Sequence, residues 1–127
     1  NKGQYYKSLR RVTENQEWEP WVLFLLEAIE EMAAETRRRI ELVREALDSA
    51  SDAVKVRLPK IYSRELMEVV FSQPYCRVAL LERAGIAKRQ TAAKYLDLLT
   101  SAGILRKTQV WRDNLYLNPE LMRILNS

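Results

Sequence analysis

Apolar residues recur at intervals of three and four over much of the chain, which is the spacing of amphipathic helices. The first segment with this spacing covers residues 2–13, and a second, much longer one covers residues 17–48. A run of small and polar residues, 49–52, then predicts the end of the long helix and a domain boundary. The pattern therefore predicts a helical region over residues 1–52.

Beyond this region the periodic segments become short and are separated by turn residues. Residues 77–84 and 88–102 predict two helices that are joined by a tight turn at Gly85, since glycine readily adopts the left-handed conformation at a helix end. Ala87 is expected to take the cap position of the second helix. The positions of this helix that are expected to face the core are Ala92, Leu96 and Leu99.

Two strand-like runs follow the second of these helices. Residues 104–110 and 115–118 predict a β-hairpin around the sequence Trp-Arg-Asp-Asn. Alternation along the second strand predicts that Leu115 and Leu117 point inward and that Tyr116 lies on the other face.

Two further helices complete the predicted order of elements. Ser63 is a good N-cap for a helix before the pair, and Pro119 begins a closing helix after the hairpin. The predicted fold is mainly α with a small β-hairpin wing. It consists of a helical N-terminal hairpin with one long helix, followed by a winged helix-turn-helix domain over residues 53–127.

Charge is divided unevenly between these two regions. The chain has 127 residues and a formal net charge of +4. Residues 1–52 hold 8 Lys and Arg against 11 Asp and Glu, a charge of −3, and residues 53–127 hold 13 against 6, a charge of +7. A basic excess confined to the helix-turn-helix half indicates nucleic-acid binding, because cations that neutralise phosphates release counterions. Ordinary solvated lysines and arginines explain the charge equally well.

The polar start of the second helix supplies the candidate DNA-contacting residues. Arginine and glutamine side chains can bind guanine and adenine edges through two hydrogen bonds, and lysine reaches phosphates. The residues expected to face the bases are Arg89, Gln90, Thr91 and Lys94. Those expected on the DNA backbone are Lys88, Lys107 and Arg112. Double-stranded DNA is therefore the first predicted partner.

Residue counts exclude several kinds of chemistry. The sequence has no histidine, so Ser-His, Cys-His and other histidine-based catalytic systems are absent, and no catalytic residue is assigned. Its single cysteine, Cys76, excludes an internal disulfide and fits a cytoplasmic protein. With one cysteine and no histidine, no structural zinc site is expected. No apolar run approaches the ~20 residues that cross a bilayer, so no membrane is expected as a partner.

One apolar segment suggests a different role. Residues 21–26 are apolar without interruption, and such a run wraps every side of a helix. We expect this segment to pack against a protein partner or a second copy through Trp21, Phe24 and Leu25. Trp111 in the wing is another candidate anchor. The alternative hypothesis is therefore a protein-interaction or dimerisation module, with a homodimer formed through the long helix.

A resemblance to a known family lies in three stretches. They are Tyr5-Tyr6-Lys7-Ser8-Leu9, the segment 18–29 that begins Trp-Glu-Pro-Trp, and Leu58-Pro59-Lys60-Ile61-Tyr62-Ser63. Together they resemble the C-terminal part of Fic-family (filamentation induced by cAMP) proteins. Residues 1–52 are similar to a helical connector made of the last helices of a Fic catalytic domain, and a terminal winged helix matches a common Fic arrangement.

The resemblance implies a parent enzyme rather than an enzyme in this segment. Fic proteins are nucleotidyltransferases that move AMP from ATP to a hydroxyl side chain of a target protein (AMPylation), and their motif is His-Pro-Phe-x-x-Gly-Asn-Gly-Arg. That motif is absent here. ATP, magnesium and the catalytic residues are therefore expected in an upstream Fic catalytic domain, which is a further predicted partner. The module itself is expected to act in transcription regulation by binding DNA.

Overall fold

The structure is a computed structural model that describes residues 2–15 and 18–127, and the side chains of all of these except 11–15. Its helices are α1 Lys2–Asn15, α2 Trp18–Arg57, α3 Arg64–Val70, α4 Val78–Arg83, α5 Arg89–Ser101 and α6 Pro119–Leu125, and its strands are β1 Tyr75–Cys76, β2 Arg106–Val110 and β3 Asp113–Leu117. The predicted mainly α fold with a small hairpin wing is confirmed. The chain divides into two compact units, Asn1–Arg38 and Arg39–Ser127.

The N-terminal unit contains α1 and the first half of α2. The Tyr5 and Phe24 rings lie 6.2 Å apart between centroids, and Trp18 meets Trp21 edge to face at 6.1 Å. Many large apolar side chains of this unit are nevertheless exposed, with Met32 exposed to 70%. The expected start of the long helix at Glu17 lies outside the described residues.

The long helix ends later than predicted. The expected end over residues 49–52 is wrong, because α2 continues to Arg57. Ser51 and Val54 are buried in the C-terminal unit, and packing of this kind overrides the weak local preference of serine and aspartate against helix. The helix stops directly before Leu58, where the following proline disfavours helical backbone. The functional division at residue 52 stays a prediction.

The C-terminal unit holds the hydrophobic core. Short helices α3, α4 and α5, the end of α2 and the sheet each contribute one apolar face, so that a single cluster is closed off from water. The buried members of this cluster are Val54, Leu66, Met67, Val70, Phe71, Cys76, Leu81, Ala92, Leu96, Leu99, Leu105 and Tyr116. The predicted inward positions of α5 are confirmed. The predicted cap is confirmed too, since Ser63 Oγ accepts a hydrogen bond from Leu66 N at 3.0 Å.

The sheet has three antiparallel strands in the order β1-β3-β2. The short strand β1 was not predicted from the sequence. It pairs Cys76 with Tyr116, so that β3 becomes the central strand. The predicted orientation of β3 is wrong, because Tyr116 is the buried residue and Leu115 and Leu117 are only half-buried. Its ring fills the core while its hydroxyl finds a polar partner at the core's edge, an arrangement that suits tyrosine.

Within residues 2–15 and 18–127, no helix combines the length and the apolar character that a membrane span needs.

Candidate nucleic-acid interface

The N-terminus of α5 is basic and lacks a side-chain cap. Lys88, and not the expected Ala87, is the N-cap residue, with extended backbone at φ −75° and ψ 165°. Its side chain makes no capping hydrogen bond, and the first turn contains no acidic residue. The first N–H groups of a helix carry partial positive charge that an anion stabilises. Lysine and arginine at this end add to the positive charge, and the helix therefore favours an external anion here.

The predicted base-contacting residues share the exposed side of this helix. Ala92, Leu96 and Leu99 are completely buried, and the turn of α5 opposite them faces solvent. The exposed residues are Lys88, Arg89, Gln90, Thr91 and Lys94. Within the described part of the chain, the side chains of these five residues form no hydrogen bond or ion pair. They are therefore available to a ligand.

A groove beside α5 brings two of the predicted cations together. Arg89 of α5 and Arg112 of the turn between β2 and β3 line a groove of about 510 Å³, together with residues of α4. Arg77, the N-cap residue of α4, lies in the same groove and forms an ion pair with Asp113 at 3.4 Å. Asp113 is thereby matched by Arg77, and Glu82 is the other acidic residue of the lining. The groove keeps a net positive charge.

Lys107 has a different environment from the other candidates. Its ammonium group donates a hydrogen bond to Asp97 Oδ1 at 3.1 Å and lies 5.6 Å from the centre of the Tyr116 ring. The Tyr116 hydroxyl donates to the same carboxylate oxygen at 2.7 Å. These contacts attach the wing to α5, and we call Asp97, Lys107 and Tyr116 the wing anchor.

Shifted pKa values accompany the wing anchor. The hydrogen bond from Tyr116 lowers the pKa of Asp97, with a further lowering by Lys107. The hydrogen bond to Asp97 raises the pKa of Lys107, and burial raises the pKa of Tyr116. All three groups are therefore held in their ordinary protonation states near neutral pH, as a structural contact requires.

The predicted partner-interface residues are placed in two different ways. Trp21, Phe24 and Leu25 are half-buried within the N-terminal unit, whereas the neighbouring apolar residues Val22, Leu23 and Leu26 are exposed. Trp111 occupies the tip of the wing and is 93% exposed.

Cys76 has no part in a reactive site. Cys76 is the second residue of β1, its side chain is buried in the core, and this burial raises the pKa of the thiol to about 11. The thiol therefore stays protonated and unreactive at neutral pH.

Two features of this surface were missed from the sequence. Arg77 was predicted as the first residue of a helix and not as a groove residue, because the short strand before it gives no periodic signal. The wing anchor was missed because it joins residues 10 and 19 positions apart. Alternation along β3 predicts that Tyr116 faces away from the core. Its hydroxyl group was the one sequence signal for a hydrogen-bond partner on another element.

Two short helices joined by a turn at Gly85, followed by a hairpin that packs beside the second helix, define a winged helix-turn-helix domain. A family model narrows this class. The model described as "Protein adenylyltransferase SoFic-like, C-terminal domain" matches residues 46–121. The match covers more than half of the chain, and the chain therefore belongs to this family. The resemblance to the C-terminal region of Fic-family proteins is confirmed, and the domain is the C-terminal part of a protein adenylyltransferase.

Proposed function

We propose that this domain binds double-stranded DNA, with the N-terminal half of α5 in the major groove and the wing beside it. The observation that supports this most directly is the groove shared by Arg89 and Arg112. It gives α5 and the wing turn one continuous basic surface, and a duplex that meets the helix therefore also meets the wing.

The chemistry of the exposed turn of α5 fits such a ligand. A helix about 10–12 Å across fits a major groove about 12 Å wide. Arg89 and Gln90 are suited to base edges, since each can form two hydrogen bonds to one base. Lys88, Lys94 and Arg112 are suited to phosphates, and the uncapped, positively charged helix end adds to their attraction.

Membership of the adenylyltransferase family suggests what DNA binding by this domain would serve. We propose that the module serves transcription regulation in the cytoplasm by placing a Fic catalytic domain of the same protein near DNA. AMPylation, with ATP and magnesium, is then the chemistry of that catalytic domain. None of those functions is assigned to the residues of this chain, which lacks histidine and the Fic motif.

Fluorescence anisotropy of a labelled random-sequence duplex, over about 50 to 200 mM salt, tests the proposal. We expect affinity to fall steeply with salt. Lys94→Ala should weaken binding to every sequence and make the slope of log K against log salt shallower by about 0.9, the loss of one phosphate contact. Arg89→Ala should also reduce discrimination between sequences.

Arg64→Ala is the matched control, because Arg64 lies on α3 in an ion pair with Glu68. It removes the same charge from the domain outside the proposed interface, and it should leave the salt slope unchanged. Equal weakening by Arg64→Ala and Lys94→Ala would contradict the assigned interface. No binding at the lowest salt would contradict DNA binding itself.

The second candidate function is protein interaction, as a homodimer or with the catalytic domain, and the exposed apolar face of α2 favours it. Large apolar side chains follow one another along this face at helical spacing, namely Trp18, Val22, Leu26, Ile29 and Met32. Sedimentation at rising concentration tests self-association. A dimer that Leu26→Glu dissociates supports it, whereas a monomer at high micromolar concentration counts against it.

A further inference from the structure

Trp111 has an unusual place in the wing. Val110 pairs with Asp113, so Trp111 and Arg112 alone connect β2 to β3. The Trp111 side chain is 93% exposed, and its ring makes no aromatic or cation contact within the described part of the chain. The fold therefore gains nothing from packing this ring.

The backbone at Trp111 is also strained. Its φ of 60° lies in the left-handed region, and it is the one non-glycine residue with positive φ among those the structure describes. Two-residue hairpin turns that need positive φ favour glycine, asparagine or aspartate. A large residue that is both strained and exposed indicates contact with another molecule.

The surroundings of Trp111 indicate what that molecule is. A tryptophan that fills a protein pocket is usually flanked by several apolar residues. Along this hairpin Trp111 has one exposed apolar neighbour, Val110, and is followed by Arg112, Asp113 and Asn114. Arg112 points into the basic groove that also contains Arg89. A flat apolar ring next to guanidinium groups suits a nucleic acid, whose bases and sugars offer apolar surface between phosphates.

We propose that Trp111 enters the minor groove of duplex DNA and places its indole ring as a wedge against a base step. The proposal rests on the proposed DNA binding. With α5 in the major groove, the hairpin beside it meets the neighbouring minor groove, where apolar side chains can insert between base pairs. Arg112 then binds the phosphate at the edge of that groove, and the strained turn holds the ring outward.

Intrinsic fluorescence tests the proposal directly. The variant Trp18→Phe/Trp21→Phe leaves Trp111 as the only tryptophan in the sequence. Among the described residues, Trp21 Nε1 has no hydrogen-bond partner that phenylalanine would lose. A random-sequence duplex is titrated while its anisotropy is followed in parallel. We expect quenching of Trp111 emission by the bases and protection from acrylamide, a neutral quencher that DNA charge does not repel.

The two readouts separate the two proposals. Unchanged emission and unchanged acrylamide access, at a duplex concentration where anisotropy shows saturation, would overturn the wedge and leave DNA binding standing. No anisotropy change at low salt would overturn both.

Substitution of Trp111 gives a second, independent test. Trp111→Gly suits positive φ, so the melting temperature should be equal to that of the wild type or higher. Its affinity for the duplex should fall by about 5-fold to 100-fold, the range for loss of one stacked aromatic residue. Trp111→Phe keeps a flat ring and should retain most of the affinity. Wild-type affinity in Trp111→Gly would overturn the proposal.

Discussion

The two compact units of this chain treat their apolar residues in opposite ways. In Arg39–Ser127, apolar faces from four helices and a sheet close around one cluster that includes completely buried Leu66, Leu96 and Leu99. In Asn1–Arg38, the described apolar side chains are half-buried or exposed, and none is fully buried. The C-terminal unit thus has a hydrophobic core of its own, whereas the N-terminal unit leaves its apolar residues partly or fully exposed.

Buried polar groups also differ between the units, because those of the C-terminal unit are better supplied with hydrogen-bond partners. Asn118, buried in the C-terminal unit, donates from Nδ2 to Val70 O at 3.2 Å and accepts from Leu121 N at 3.1 Å. Trp21 Nε1, buried in the N-terminal unit, has no hydrogen-bond partner among the described residues. Native interiors normally satisfy such groups. The difference indicates that the C-terminal unit is the self-sufficient half, whose stability its own contacts explain.

The largest expected effect therefore comes from the core of the C-terminal unit. Leu96→Ala leaves a cavity in the hydrophobic core, and it should lower the free energy of unfolding by about 2–5 kcal/mol. Leu26→Ala, the same change on the exposed face of α2, should alter it by no more than about 0.5 kcal/mol. Urea unfolding followed by circular dichroism measures both. Equal losses in the two variants would contradict the contrast between the units.

The sequence predicted the C-terminal unit well wherever one short segment carries its own signal. Ser63 and Gly85 mark helix ends by local chemistry, and the period of α5 identifies its buried face without knowledge of any other element. The end of α2 and the orientation of β3 were wrong because both depend on distant residues. Ser51 stays helical because it is buried in the C-terminal unit, and Tyr116 points inward because its ring packs in the core while its hydroxyl bonds to Asp97 of α5.

A medium effect is expected at the buried polar residue. Asn118→Ala removes the N-cap of α6 and leaves Val70 O and Leu121 N without their side-chain partner. The free energy of unfolding should fall by about 1–3 kcal/mol. Asn114→Ala, an identical change at an exposed position of the wing, is the control and should have little effect. Thermal unfolding of the two variants, measured side by side, shows whether the hydrogen bonds of Asn118 contribute to the stability of the C-terminal unit.

The candidate site was predictable in its cations but not in their grouping. Spacing along α5 correctly exposes Arg89, Gln90 and Lys94, since the opposite face is apolar. The position of the hairpin against α5 decides that Arg112 lines the same groove as Arg89 and that Lys107 is bound to Asp97. The orientation of a hairpin relative to a helix cannot be predicted from the sequence of either segment alone. An ion pair between two segments produces no periodic pattern in the sequence.

The smallest expected effect lies at the wing anchor, on the surface of the stable unit. The carboxylate of Asp97 is half-exposed, so its bonds to Tyr116 and Lys107 should contribute about 0.2–1 kcal/mol. Because the folded pKa of Asp97 is lowered, this contribution is complete above the unfolded value of about 3.9 and is lost as pH falls through the folded pKa. The difference in melting temperature between wild type and Asp97→Asn should therefore be constant at neutral pH and shrink in acid.

Asp52→Asn removes an equal charge from an exposed position of α2 and is the control. A difference for Asp97→Asn that stays constant into strong acid would show that the carboxylate charge does not hold the wing. No difference at any pH would show that Asp97 does not contribute to it at all.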